Sequence, residues 1–500
     1  MKGLAMQRRI SLLAAALLCG CAVGPDFRVP APPDDAGYVP GPQPVATVAA
    51  DRAEASAQSH AQALAAGADV PAQWWMLFRS PTLDATIRAA LAASPTLAQA
   101  RARLLEAQQN LAARTGATRW PAIDARLDTA RQQVDFQSLG ITAIPSPGPF
   151  TLYGATVQVS YALDLFGGQR RELEGLQAVV DYQRYELEAA RLALAANVAT
   201  AAIREAGLRA QLADTAAMVA AQQRQLGITE ARLRAGGVAP VEVQRRRAEL
   251  AQTQALVPAL QRRLDATRHQ LAVYAGQTPA SASLPEFHLD GLQLPDTLPL
   301  SLPATLARRR PDIRAAEALL HQASANIGVA TANLYPQLTL SASGGTQATA
   351  ARDLFSSLNV WSLAAGLVQP VFRGGELQAR KRAAEAAYEQ SLAAYRQAVL
   401  QGLQDVADSL RALEADAAAL RERADSARQA RDTLAVVSEQ YRLGGVSQLA
   451  LLDAERQSRQ AALDLAQARA DRLADSAALL QALGGGWWQE EGGTTVAAPQ

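Results

Sequence analysis

The feature that most constrains this sequence is an internal duplication with a spacing of about 210 residues. Ser94-Pro95-Thr96-Leu97 is echoed by Arg310-Pro311-Asp312-Ile313, Asn110 by Asn326, and Trp120-Pro121 by Tyr335-Pro336. Gly167-Gly168 is matched by Gly374-Gly375, Leu233 to Val238 by Tyr441 to Val446, and Leu271 to Gly276 by Leu479 to Gly484. The offset is 215–216 before the double-glycine pairs and 207–208 from them onward, so one segment of the first copy is longer by about eight residues. A repeat of this length is one structural unit used twice. Each unit reads as a helix, two strands and a long helical pair, an order that fits a chain contributing staves to a closed barrel.

The strands are read from a period of two. Between Leu152 and Leu165, Tyr153, Ala155, Val157, Val159, Tyr161 and Leu163 alternate with Gly154, Thr156, Gln158, Ser160 and Asp164. A weaker second copy is Trp361, Leu363, Ala365 and Leu367, and the expected partners are Ile123-Ala125-Leu127 and Leu338-Leu340-Ala342. Segments of about ten residues with one apolar face match barrel strands that face lipid outward and water inward. A soluble hairpin has the same period, and the pattern alone does not separate the two. Four strands from one chain cannot enclose an aqueous lumen, so a barrel here has to be shared between protomers.

Long helices follow. No proline occurs between Pro149 and Pro240, or between Pro370 and Pro499. Leu173, Val180, Leu187, Leu194, Ala201 and Leu208 are spaced by seven, and after a shift of four the seam continues at Leu212, Val219, Leu226 and Leu233. The second copy keeps the spacing at Leu392, Val399, Val406, Leu413 and Leu420, and Leu434 and Tyr441 rejoin it. Heptads mean packing along the helix length, and a four-residue shift is a stutter that locally unwinds the supercoil. Gly168 to Ala235 is about 68 residues, or roughly 100 Å of helix. Each long helix meets a double glycine, where Gly236 and Gly444 can take the left-handed conformation that stops it. Pro240 suits the first turn of one returning helix and Ser447 can cap the other, giving two antiparallel hairpins with tips far from the strands.

The N-terminus is a targeting segment. Lys2, Arg8 and Arg9 precede an apolar run from Ile10 to Leu18, too short to span a bilayer as a mature helix. The run ends in Leu18-Cys19-Gly20-Cys21, which resembles the bacterial lipobox, whose last cysteine is lipidated and becomes the new N-terminus. Cleavage there would remove Cys19 and consume the thiol of Cys21, leaving no redox pair. Ala22 follows the cysteine instead of an aspartate, a pattern associated in lipoproteins with sorting to the outer membrane.

Composition excludes other classes. Taking Lys2, Arg8 and Arg9 from 48 basic residues leaves 45 against 47 acidic, a balance of −2 with no excess to bind nucleic acid. His60, His269, His288 and His321 are scattered without metal-ligand spacing, and Ser343-Gly344-Gly345 lacks the pattern of a phosphate loop. No catalytic constellation is present, so an enzyme is not expected. Aromatics are only 5% of the chain, which suits long, closely packed Ala- and Leu-rich helices.

Several motifs carry a resemblance to a known family: Gly20-Cys21-Ala22-Val23-Gly24-Pro25-Asp26-Phe27, Trp74-Trp75 with Phe78 and Pro81, and Leu163-Asp164-Leu165-Phe166-Gly167. Val371-Phe372-Arg373-Gly374-Gly375 and the two tip loops complete them. In order and combination they resemble the outer membrane factor family, the TolC-like efflux ducts, in its NodT-type lipoprotein branch, over residues 18 to 485. The resemblance implies an α+β membrane protein: a homotrimer with a shared 12-stranded outer-membrane barrel, four strands per chain, above a tunnel of long helical hairpins. It implies a passive exit duct for small molecules or drugs, lipid-anchored in and spanning the outer membrane and extending into the periplasm. The implied partners are a periplasmic adaptor and an inner-membrane efflux transporter, with no cofactor beyond the lipid on Cys21. The adaptor would meet the tips at Gly236-Gly237 and Gly444-Gly445. Aligned on these loops, Glu242, Tyr441 and Asp453 match periplasmic gate positions, whereas Val446 replaces a latching arginine and Ala450 a second constriction aspartate. Solvated helix carboxylates are the plainer reading of Glu242 and Asp453.

The expected organisation is a signal peptide over 1–20 and a lipidated tether over 21–70. The first repeat covers 71–276, with strands at about 121–136 and 151–165 and a hairpin over 168–276. After an equatorial linker over 277–303, the second repeat covers 304–484, with strands at about 336–346 and 359–372 and a hairpin over 374–484. Residues 485–500 are expected as a flexible tail, apart from Trp487 and Trp488. The alternative is a periplasmic adaptor or coiled-coil lipoprotein without a pore. Adaptors usually carry one hairpin between small barrel-like domains, and this chain has two hairpins and no such flanks.

Overall fold

The computed structural model describes residues 22–35, 37–50, 60–136, 140, 143, 145, 147–356 and 360–491. The expected signal peptide and Cys21 therefore lie outside the described residues. In chain order the elements are β1 (Ala63–Ala66), α1 (Pro81–Ala93), α2 (Pro95–Arg119), β2 (Ala122–Gln132), β3 (Phe150–Leu163), α3 (Gly168–Arg234) and α4 (Pro240–Tyr274). Then come β4 (Thr297–Leu300), α5 (Pro303–Arg309), α6 (Pro311–Ala332), β5 (Gln337–Ala348), β6 (Val360–Val368), α7 (Glu376–Arg442), α8 (Gln448–Ala482) and α9 (Trp488–Glu491). The duplication is visible in the lengths: α3 and α7 have 67 residues each, and α4 and α8 have 35 each.

The chain forms two compact units, and each draws on both repeats. One takes the residues up to Pro30, Arg103–Gln183 and Ala315–Tyr395; the other takes Ala31–Ala102, Arg184–Arg314 and Arg396–Gln500.

The first unit holds a four-stranded antiparallel sheet in the order β2-β3-β5-β6. Its limits have local causes. β2 stops at Gln132, short of the expected 136, because its partner β3 begins at Phe150 opposite it. β3 ends at Leu163, where the Asp164 carboxylate turns to accept from the Arg170 amide at 2.9 Å and caps the start of α3. β5 begins just after Pro336, and β6 ends at Val368, two residues before Pro370, since proline cannot donate to a ladder.

The second unit contains a short parallel pair, β1 with β4. Beside it, Trp74, Trp75 and Phe78 are buried in a 3-10 turn, with the Trp75 indole N–H donating to Asp84 at 2.8 Å. Residues 485–488 are packed, the two tryptophans as set apart from the expected flexible tail and the two glycines with them. The Trp487 indole donates to the Arg309 carbonyl at 2.8 Å and meets Tyr185 edge-on at 5.8 Å, and Arg309 lies 4.8 Å over the Trp488 ring. Two adjacent indoles bring enough apolar area to dock the segment.

The heptad seam is buried at Val180, Leu187, Leu194, Ala201 and Leu208, and in α7 at Val399, Val406, Leu413 and Leu420. Two departures have steric reasons. Between Leu194 and Leu208 α3 is buried on nearly every face, because Ala195, Ala196, Ala199, Ala202 and Ala206 let neighbours approach closely. Beyond Leu208 the deepest positions are Thr215, Met218, Gln222 and Gln225, while the expected continuation at Leu212, Val219 and Leu226 is only half-buried. The stutter thus marks a second apolar stripe beside a polar seam, so the packing face widens.

The hairpin turns are built by glycine. Gly236 and Gly444 have φ of +76° and +78°. The Gly237 amide donates to Arg232 at 2.8 Å and the Gly445 amide to Gln440 at 2.7 Å, the six-residue closure of a Schellman ending.

Close approach, not a turn, explains Gly345 in β5. A Cβ there would stand 2.1 Å from the Ala155 carbonyl oxygen of β3, whereas one at Gly366 in β6 would meet only the Thr339 oxygen at 4.0 Å. Gly345→Val should abolish folded protein in the outer membrane and Gly366→Val should leave it near the native level, as quantified by immunoblotting of membrane fractions.

Candidate functional site

The register of the sheet sorts its side chains into two faces, since directly paired residues point the same way. Ile123, Ala125 and Leu127 lie opposite Val159, Val157 and Ala155, and Leu338, Leu340 and Ala342 lie opposite Leu367, Ala365 and Leu363. Through the β3–β5 pairing these make one continuous apolar face. Among the described residues nothing covers it: Leu127, Trp361 and Leu363 are 74%, 79% and 79% exposed. Apart from Phe150, Leu152, Val360 and Val368 near the strand ends, the other face carries Gly, Ala, Ser, Thr and Gln, with Ser343 and Ser362 hydrogen-bonded at 2.8 Å, and its charges are Asp124, Arg126 and Asp128 of β2. An exposed apolar sheet face backed by a polar one is the partition of a strand wall between lipid and water.

All four strand–helix junctions carry an aromatic: Trp120 before β2, Phe166 after β3, Tyr335 before β5 and Phe372 after β6. Phe166 and Tyr335 stack at 4.8 Å, while Trp120 and Phe372 stand exposed. Aromatics at this level form the interfacial girdle of a membrane barrel. Among the described residues no helix is long and apolar enough to cross a membrane.

The segment following Cys21 is clamped to the first unit. The Val23 amide donates to the Phe166 carbonyl at 3.0 Å, and a Cβ on Gly167 would collide with Ala22 at 2.6 Å. The buried Arg171 guanidinium binds Asp26 at 2.6 Å and Glu174 at 2.8 Å; Glu174 also bonds His321 at 2.8 Å, on whose ring Phe27 stacks at 4.3 Å. Burial by itself would push the Glu174 carboxyl up, but Arg171 and His321 outweigh it and hold it below its usual value. Sequence reading set His321 aside as scattered; its partner lies 147 residues away.

In the second unit two buried arginines tie distant segments together. Arg310 reaches Asp312 at 2.7 Å, Asp405 at 2.8 Å and the Ala482 carbonyl at 3.0 Å. Arg472, fully buried in α8, donates to Thr47 and to the His60 carbonyl, both at 2.9 Å, and so orders part of the expected tether. Burial pushes its guanidinium down to about 10 against the opposing pull of Asp416. The Asp416 carboxyl is in turn pushed up to about 7, by burial first and then by Asp475 and Asp471.

The gate and tip candidates occupy the hairpin ends. Glu242, in the first turn of α4, pairs with Arg245 at 2.6 Å, and Asp453, exposed on α8, with Arg456 at 3.4 Å. Tyr441 lies exposed in the last turn of α7. Within one chain the three do not meet. Gly236, Gly237, Gly444 and Gly445 form the exposed turns between the long helices.

The family model for the outer membrane efflux protein matches residues 86–277 and 302–485, one repeat after the other. The chain belongs to this family. It is 31% identical over 485 residues to the pyoverdine export outer membrane protein OpmQ of Pseudomonas aeruginosa, across 96% of this chain and 97% of that protein. It is 26% identical over 454 residues to nodulation protein T of Rhizobium leguminosarum bv. trifolii, across 88% and 89% of the two chains. The solved structure of the outer-membrane channel OprN superposes with a TM-score of 0.79 at 29% identity, covering 93% of this chain and 100% of that one. The protein is thus an outer-membrane channel of the efflux type, reaching into the periplasm, with the TolC-like fold the motifs imply.

The Asp416 cluster makes stability depend on pH with a definite sign. The folded value lies above the unfolded one, so the folded state holds this proton more tightly, and the contribution is lost as pH rises from about 4 through about 7. Asp416→Asn should gain thermal stability relative to the native protein between about pH 5 and pH 8, as measured by melting in detergent at each pH.

Proposed function

We propose that the protein is the exit duct of a tripartite pump, a homotrimer in which each chain supplies four strands to a 12-stranded barrel. The observation that carries this reading is the open sheet: an apolar face outward, and two edge strands, β2 and β6, with no partner among the described residues. In hydrocarbon every backbone N–H and C=O must be bonded, so an open edge is untenable and β6 of one copy has to pair with β2 of the next. That pairing is heterologous and closes into a ring. The second apolar stripe on α3, at Leu212, Val219 and Leu226, supports the same arrangement, because a helix in a tunnel wall has neighbours on both sides.

Transport through such a duct is passive. Energy comes from an inner-membrane transporter, and a periplasmic adaptor meets the tip turns at Gly236-Gly237 and Gly444-Gly445. The NodT-type resemblance and the export role in the relative's name favour small molecules as cargo. Cys21 carries the lipid, and the clamp at Arg171 holds the following residues against the strand–helix junctions. Glu242, Tyr441 and Asp453 line the periplasmic gate. A ring of three Asp453 carboxylates would draw cations into the constriction, because like charges in a narrow neck focus the field.

The deciding experiment is planar-bilayer conductance of the detergent-extracted protein, with its oligomer mass determined in parallel. Conducting trimers are expected; a monomer that never conducts would overturn the reading. Cys21→Ser should abolish lipidation yet leave trimers in the outer membrane, since the shared barrel carries most of the anchoring, and complete loss from that membrane would contradict this. Asp453→Arg should weaken block by divalent cations, and unchanged block would return Asp453 to a solvated helix carboxylate.

A further inference from the structure

The barrel wall holds a charge pattern that the gate does not use. Over the paired residues of the four strands, the ionisable side chains on the polar face all belong to β2: Asp124, Arg126 and Asp128. Opposite them on β3 stand Gln158, Thr156 and Gly154. The polar face of β6, which in the closed barrel lies beside β2 of the next copy, carries Ser362, Ala364 and Gly366. Whatever the register across that seam, no countercharge lies on either side of the ladder.

Nor do the three neutralise one another. They are exposed, and successive inward positions along a strand are roughly 6.6 Å apart. Among the described residues none of the three has a salt-bridge or side-chain hydrogen-bond partner. Gly154 preserves the freedom of Asp128: the carboxylate leans over it, and a Cβ there would stand 2.9 Å from the oxygen. On the outward face β2 carries Arg131, but near the hairpin end, where the cost of a charge at the bilayer boundary falls to about 0–1 kcal/mol.

We propose that Asp124, Arg126 and Asp128 form a second charge filter in the barrel lumen, separate from the periplasmic gate, that favours cationic over anionic solutes. The inference rests on the shared-barrel reading. Each copy then contributes an acidic–basic–acidic ladder of net charge −1, and three copies place two acidic rings around one basic ring. In a water-filled lumen such fixed charge acts over about 10 Å at 0.1 M salt and about 3 Å at 1 M, so its influence is greatest in dilute solution.

The test is the reversal potential of reconstituted trimers in a potassium chloride gradient. Asp124→Asn combined with Asp128→Asn should shift it toward the anion side, and Arg126→Gln should shift it toward the cation side. Both shifts should shrink on moving from about 0.1 M to about 1 M salt. The aspartate exchanges preserve side-chain size, Arg126→Gln keeps a polar side chain on a water-facing surface, and oligomer mass checks that the trimer survives them. Reversal potentials that move with Asp453→Asn but with neither β2 variant would overturn the filter while leaving the duct intact. A native protein that forms no conducting trimer would remove the shared barrel, and the filter with it.

Discussion

The structure depends on one constraint: in a bilayer no backbone hydrogen-bonding group is left without a partner. A four-stranded sheet with an uncovered apolar face has no stable solution as a single soluble chain, because the face exposes large side chains and the edges expose amides and carbonyls. Lipid covers the face, and only other copies of the same edges satisfy the backbone. Membership of the outer membrane efflux family follows the same logic, since a channel wall assembled from several chains lets each contribute few strands.

The helical part answers a different problem. Helices of 67 residues cannot be buried in one globular core and must be stabilised along their length. Alanine allows the tight section between Leu194 and Leu208, and polar residues take over the seam beyond it. Long helices on their own leave the slender N-terminal segments unheld. Arg171 and Arg472 pin them instead, each desolvated and each bonded to residues far away in sequence. A buried guanidinium needs several acceptors at once, and this makes it a specific fastener for an extended chain.

Much of this was legible in the sequence because it is local or periodic. The alternation along Tyr153 to Leu163, the glycines at 236 and 444, and the repeat itself are signals a single segment carries. The charge clusters were not legible. Arg171 and Asp26 are 145 residues apart, and Arg472 and Thr47 are 425 apart; neither pair has a spacing rule. The docking around Trp487 and Trp488 was only partly legible, because the glycines beside them suggest freedom when they in fact allow close approach: a Cβ on Gly486 would meet the Val70 carbonyl at 2.2 Å.

What the sequence by itself determined is the kind of element and its faces: two repeats, strands with one apolar side, and helices stopped by glycine. Those properties follow from side-chain period and backbone freedom, which are written in neighbouring residues. The tertiary structure decided which charges meet, how β3 and β5 join the two repeats into one sheet, and that the charges on its polar face fall on β2 alone. These depend on strand register and long-range proximity, which exist only once the chain has folded.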